Sequence, residues 1–153
     1  MRVNADATTG IPPGVTDETA PFWDAARDGR LVVERCAACG SDTFPPRGMC
    51  RACRGRDLAP VEVTGRGVIY SYTVNHQRWL PDLEVPYAIV LVEFPAHPGV
   101  RVAGRLRGID PEDVSVGAEV EVGFDPGPGG FAIPSFTVPA SGGASDVAVG
   151  GGG

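Results

Sequence analysis

Cys36-Ala37-Ala38-Cys39 and Cys50-Arg51-Ala52-Cys53 hold all four cysteines of this chain, with ten residues between the two pairs. A Cys-x-x-Cys turn aims two thiolates at one point, and two such turns at this spacing supply a tetrahedral four-thiolate metal site. Two disulfides or a redox dithiol are the competing readings. Disulfides belong to exported chains, and the opening residues, MRVNADATTG, lack the apolar run of a signal peptide. A redox dithiol needs only one pair. The expectation is one structural Zn2+ on Cys36, Cys39, Cys50 and Cys53, preferred over iron on availability. With four protein ligands there is no open coordination position, so the site would stabilise a fold and activate no water.

The rest of the chain is built for short strands. Its 153 residues include 22 Gly and 15 Pro, which suits turns and discourages long helices. No run of 18 apolar residues is present, so no membrane span is expected, and a reducing, cytoplasmic location would keep the thiols available for metal. All 13 basic residues are arginine, which excludes lysine Schiff-base and lysine general-base chemistry. Arg35, Arg47, Arg51, Arg54 and Arg56 cluster around the cysteines with only Asp42 to oppose them, whereas the chain from Val61 carries 11 acidic residues against five arginines. A basic ribbon is thus joined to an acidic body. Arginine favours bidentate contacts with phosphate or carboxylate, so Arg47, Arg51, Arg54 and Arg56 suit an anionic ligand or an acidic partner; a solvated surface that offsets thiolate charge is the alternative.

Four segments are expected: an unstructured arm over 1–16, a helix plus ribbon over 17–59, a β domain over 60–139 and a Gly-rich disordered tail over 140–153. Pro21 fits the first turn of a short helix, Gly29 fits its stop, and Phe22, Ala25 and Ala26 share one face with Trp23 beside it. That face must dock on the chain's own modules or on a partner. From Val61 the period becomes two. Val61 to Val74 reads as one long strand bent at Gly65-Arg66-Gly67, as a small barrel requires. The strand Pro86–Phe94 is apolar on both faces, with Ala88, Val90, Val92 and Phe94 on one and Tyr87, Ile89 and Leu91 on the other. Both faces then need cover, one from the barrel interior and the other from the helix, the ribbon or another protein. Residues 100–107 place Val102 and Leu106 opposite Arg101, Arg105 and Arg107; Asp110-Pro111-Glu112-Asp113 suggests one helical turn; 119–124 and 131–138 complete the strands, the last an edge because of Pro134. The sum is a mostly β chain ending in a five-stranded OB-type barrel.

The ordered series PFWDAARDGRLVVERCAACG, FPPRGMCRAC, GRGVIYSYTV, VPYAIVLVEF and GIDPEDVSVGAEVEVGF resembles the zinc-ribbon/OB-fold proteins associated with acyl-CoA enzymes. The resemblance runs from about Pro21 to Ala140. It implies a helix, a rubredoxin-like ribbon and an OB fold. It also implies a non-catalytic subunit that accompanies a thiolase-like enzyme: an acetoacetyl-CoA thiolase complex, an acyltransferase or a steroid side-chain aldolase. Acyl-CoA would then be a ligand shared with the partner.

The catalytic inventory agrees with that role. His76 and His97 are the only histidines and neither lies in a recognised catalytic motif. His97, in PAHPG, reads as an exposed hairpin residue. Asn75-His76-Gln77-Arg78-Trp79-Leu80-Pro81 reads as the first barrel loop, a frequent ligand site in OB folds, so His76, Arg78 and Trp79 join the four arginines as candidate acyl-CoA or partner contacts. Phe22, Trp23, Tyr87, Ile89 and Leu91 are candidate partner contacts. The alternative is a single-stranded nucleic-acid-binding ribbon/OB module; the acidic barrel and the shortage of aromatics beside Arg101, Arg105 and Arg107 argue against it.

Overall fold

A computed structural model describes residues 10–81 and 83–139. The first nine residues of the expected arm and the tail from Ala140 lie outside them. The described chain begins with a turn in which Thr16 N–H donates to the Thr19 hydroxyl at 2.9 Å. It leads into helix α1 (Ala20–Arg27), with Pro21 in the first turn. Gly29, at φ 73°, ends the helix where a left-handed residue is needed.

Three strands form the ribbon sheet: β1 (Val32–Cys36), β2 (Asp42–Thr43) and β3 (Leu58–Glu62), in the order β2-β1-β3. Here one expectation is corrected. Val61 and Glu62 pair with Val33 and Val32 of β1, so they finish the ribbon rather than start the barrel. Period-two alternation identifies a strand but not the sheet that owns it. The barrel's first strand, β4 (Gly67–Asn75), begins after the Gly65–Gly67 bend.

β4, β5 (Tyr87–Glu93), β6 (Arg101–Arg107), β7 (Glu119–Pro126) and β8 (Ala132–Thr137) close a barrel in the order β4-β5-β6-β8-β7. A single 3-10 turn at Pro111–Asp113 precedes β7, capped by the Asp110 carboxylate, which accepts from Glu112 N–H at 2.9 Å. β8 is not an edge. It pairs antiparallel with β7 and parallel with β6, and Pro134 is accommodated because the β6 ladder starts one residue later, at Ser135. Where the two strands converge, a Cβ on Gly104 would lie 2.6 Å from the Pro134 carbonyl oxygen, so only glycine fits.

The core runs unbroken from ribbon to barrel: Leu31, Val32 and Val33 join Ile69, Val90, Val92, Val102, Val120 and Phe136 in one buried cluster. Helix α1 wedges the two modules together. Phe22 meets Phe44 of the ribbon at 5.5 Å between ring centres, and Trp23 meets Phe131 beside the barrel at 5.2 Å. This settles what covers the helix. Phe22 is only 6% exposed and packs within the chain, so it is not available to a partner; Trp23 is partly buried against the same core. Pro12 passes so close to Gly129 that a Cβ there would lie 3.1 Å from it, so this part of the expected free arm follows the barrel surface.

Candidate functional site

The metal centre is built by two similar turns. In the first, Gly40 (φ 73°) closes on Cys36 with N–H to carbonyl at 2.8 Å; in the second, Arg54 takes the equivalent place, closing on Cys50 at 3.1 Å. Arg54, at φ 63°, is the one non-glycine residue in the left-handed region among the described residues. Its backbone carries a strain that Gly40 avoids. Backbone N–H groups of Ala52 and Gly55 point at the Cys50 and Cys53 sulfurs, each at 3.4 Å. At Gly55 a Cβ would lie 3.3 Å from Cys53 Sγ and 3.5 Å from Cys36 Sγ, so a larger side chain there would crowd two of the four sulfurs.

The four thiols are free and converge. Cys36 Sγ lies 3.6 Å from Cys53 Sγ, Cys39 Sγ 3.6 Å from Cys50 Sγ, and all four fall within 4.8 Å of one another. Four thiolates at ~2.3 Å from one zinc would stand ~3.8 Å apart, so the donor set fits a tetrahedral Zn2+ with little movement. Electrostatics favour the same conclusion. The Ser41 hydroxyl and N–H hold the Cys39 thiol down to about 6. At Cys53 the Gly55 N–H pulls the other way from the crowd of thiols, and Cys39 and Cys36 together push it up to about 12. A bound cation at the centre would favour the thiolate form of the sulfurs around it.

The candidate anion-binding side chains fall into two groups. Arg47, Arg51, Arg54 and Arg56 are exposed on the second half of the ribbon, and none forms an ion pair with a described residue. His76, Arg78 and Trp79 lie together on the loop after β4. The Trp79 indole is 70% exposed while its Nε1–H donates to Asn75 Oδ1 at 2.9 Å; Asn75 in turn donates to the Gln77 carbonyl at 2.7 Å. The ring's polar atom is thus satisfied and its orientation fixed, with an apolar face left to solvent. His76 Nε2 reaches Glu112 at 3.3 Å across an exposed contact. No hydrogen bond or ion pair joins this loop to the ribbon arginines among the described residues.

His97 is the clear departure from expectation. It is 4% exposed, and its Nδ1 lies 2.8 Å from Asp42 Oδ2. Asp42 also receives Arg35 through two bonds, at 2.8 and 2.9 Å. The Arg35 bond, with His97 adding, holds the Asp42 carboxyl below the usual carboxylate range despite its burial. The node ties the ribbon strand β2 to the loop after β5. A His–Asp pair suggests proton transfer, but with side chains 5% and 4% exposed no substrate reaches it. It is a tether between modules.

On the barrel exterior, Tyr87, Ile89 and Leu91 are half-buried and face away from the core, as the alternation along β5 requires. Arg101 and Arg107 are paired with Glu93 and Asp125, at 2.8 and 2.6 Å. The arginine face of β6 is therefore largely neutralised.

With this geometry in view, two family models match in series: the ChsH2 rubredoxin-like zinc ribbon domain over residues 23–59 and the ChsH2 C-terminal OB-fold domain over residues 60–125. The chain belongs to the ChsH2-type DUF35 family. A solved chain described as the Ltp2-ChsH2(DUF35) aldolase superposes with a TM-score of 0.76 at 33% identity, over 84% of this chain and 100% of that one. A DUF35 domain-containing scaffold protein of Methanocaldococcus jannaschii is 33% identical over 61% of this chain and 67% of the relative. A benzoylsuccinyl-CoA thiolase subunit, BbsA, of Thauera aromatica is 28% identical over 63% of this chain and 67% of its own length. A probable enoyl-CoA hydratase alpha subunit of Thermomonospora curvata is 38% identical over 71% of this DUF35 chain, which spans only about a third (33%) of that subunit. The hydratase name describes that longer whole. No helix among the described residues is long and apolar enough to cross a membrane.

Proposed function

We propose that this DUF35 chain is a non-catalytic accessory subunit that docks on a thiolase-like acyl-CoA enzyme and helps to accommodate the CoA thioester. The observation that carries the reading is the superposition, over 84% of this chain and all of the other, on a chain described as the Ltp2-ChsH2(DUF35) aldolase. The residue inventory supports it. The thiols converge on a closed metal site, one histidine is locked in an interior tether, and the other meets a single exposed carboxylate. What remains exposed is suited to binding: four ribbon arginines for phosphates, and the Trp79 face with Arg78 on a barrel loop. Catalysis then belongs to the partner, which supplies the nucleophile or general base. The partner's acyl group, and whether it condenses or cleaves, is set by that partner's own site.

Co-expression with thiolase-like proteins, followed by size-exclusion chromatography and acyl-CoA turnover, is the test. The expected result is a stable hetero-oligomer with turnover, and none by this chain alone. Robust turnover by the isolated chain, or nanomolar single-stranded DNA binding with no protein partner, would overturn the reading.

A further inference from the structure

The outer face of β4, β5 and β6 is laid out in rungs. Register aligns Ser71, Leu91 and Ala103 on one and Thr73, Ile89 and Arg105 on the next. Small side chains on either side leave Ile89 and Leu91 on the floor of an open trough of about 190 Å³. Arg101 lies toward one end, its guanidinium 3.6 Å from the centre of the Tyr70 ring and 2.8 Å from the Glu93 carboxylate. Arg105 lies toward the other, held over the Tyr87 ring at 4.8 Å.

The two ends differ in charge balance. Arg66, Arg101 and Arg107 of the barrel each have an acid within ion-pair distance; Arg105 has none among the described residues. Partial burial, and then the neighbouring Arg107, lower its guanidinium pKa, with Asp125 and Glu84 only partly offsetting them. A half-buried cation with no acid in direct ion-pair contact, and only partial compensation from Asp125 and Glu84, therefore borders an apolar trough. Incompletely compensated charge at such a place is costly in the free chain, and the cost is relieved when a carboxylate arrives.

We propose that the trough seats an apolar side chain of the thiolase-like partner, and that a carboxylate close to that side chain pairs with Arg105. The proposal rests on the accessory-subunit reading and adds the chemistry of the contact. Charge complementarity carries it: the sheet already supplies acids to its other arginines and leaves this one for a partner. A guanidinium pre-positioned on an aromatic ring accepts a carboxylate bidentately with little further ordering. Tyrosine and arginine around an aliphatic floor are also the residue types that dominate association energies.

The test is the affinity of the reconstituted complex, by biolayer interferometry, with zinc content and melting temperature confirming that each variant is folded. Arg105→Glu should weaken binding by roughly 30-fold or more, as loss of a desolvated charge pair does. Ala103→Trp, which fills the trough without touching charge, should weaken it comparably. Arg101→Gln, at an arginine already paired within the chain, should change it by less than about threefold. Wild-type affinity in both Arg105→Glu and Ala103→Trp would overturn the trough and leave the accessory reading standing. Failure of the wild-type chain to bind any thiolase-like protein would overturn both. Self-association abolished by Arg105→Glu would assign the trough to a second copy and so refute the proposal.

Discussion

Replacing Asp42 with alanine should separate the interior tether from an ordinary surface ion pair. Arg35 is nearly half-exposed and can turn to water, so its share is left out of the sum. His97 cannot. An ionised carboxylate only accepts, so the His97 Nδ1–H donates to Asp42, and both side chains are at most 5% exposed. Hydrogen bonds to charged groups contribute about 1.5–3 kcal/mol, and removing the acceptor leaves a buried N–H unsatisfied. We expect Asp42→Ala to cost about 2 kcal/mol at pH 7, lowering the melting temperature of the zinc-loaded protein by roughly 5–10 °C. Asp42→Asn, which keeps an oxygen for His97, should cost less. Because the folded-state pKa of Asp42 is depressed, its ionic contribution is present above the unfolded value near 3.9 and is lost as pH falls through the folded value. Asp42→Asn should therefore flatten that part of the stability profile below about pH 4, relative to wild type, with metal content checked at each point. Urea titrations of the three proteins measure this directly. A loss under ~0.5 kcal/mol for Asp42→Ala would refute the reasoning and make the node a surface contact.

The metal, the strained knuckle and the two candidate ligand surfaces give further expectations. Cys50→Ser should abolish zinc retention and unfold the ribbon, read by elemental analysis and circular dichroism; full zinc occupancy in that variant would contradict a four-cysteine site. Arg54→Gly should relieve left-handed strain and stabilise the chain by up to about 1 kcal/mol while weakening CoA-ester binding by the complex, which chemical denaturation and KM report separately. Charge reversal at Arg47 and Arg51 should raise the apparent KM or loosen assembly, more so at low salt; kinetics unchanged across ionic strength would return these arginines to a solvated surface. Trp79→Ala should lower kcat/KM for acyl-CoA with assembly intact, and Asn75→Ala should do so more weakly by freeing the indole.

Local patterns in the sequence carried much of this architecture. Cysteine spacing located the converging thiols, alternation gave the inward and outward faces of β5 and β6, and Asp110-Pro111-Glu112-Asp113 announced one helical turn because such a turn is set by neighbouring residues. What escaped was relational. His97 and Asp42 are 55 positions apart, and each by itself looks like a surface residue; only closure of the barrel against the ribbon removes both from water. Val61 alternates as any strand does, and the choice of β1 as its neighbour is a tertiary event. Phe22 announced a face in need of cover without saying whose.

The same distinction bears on function. A partner-binding surface is relational too, with half of its definition on another chain, so sequence can only indicate it through imbalance. Tyr87, Ile89 and Leu91 were legible as excess apolar residues on an outer face. Arg105 was not, because its lack of an acid becomes visible only once Arg66, Arg101 and Arg107 are seen to have theirs. The tether then explains how such surfaces could act together. With α1 wedged between Phe44 and Phe131 and Asp42 locked to His97, the ribbon arginines and the barrel trough hold fixed relative positions. A partner that engages the trough would meet the ribbon arginines in a set orientation, with no ordering cost at that step. Loosening the tether should therefore weaken CoA-ester use by the complex even though neither Asp42 nor His97 touches ligand. Asp42→Asn complexes with normal assembly but raised KM are the expected outcome, and an unchanged KM in a measurably destabilised variant would show that the two modules contribute independently.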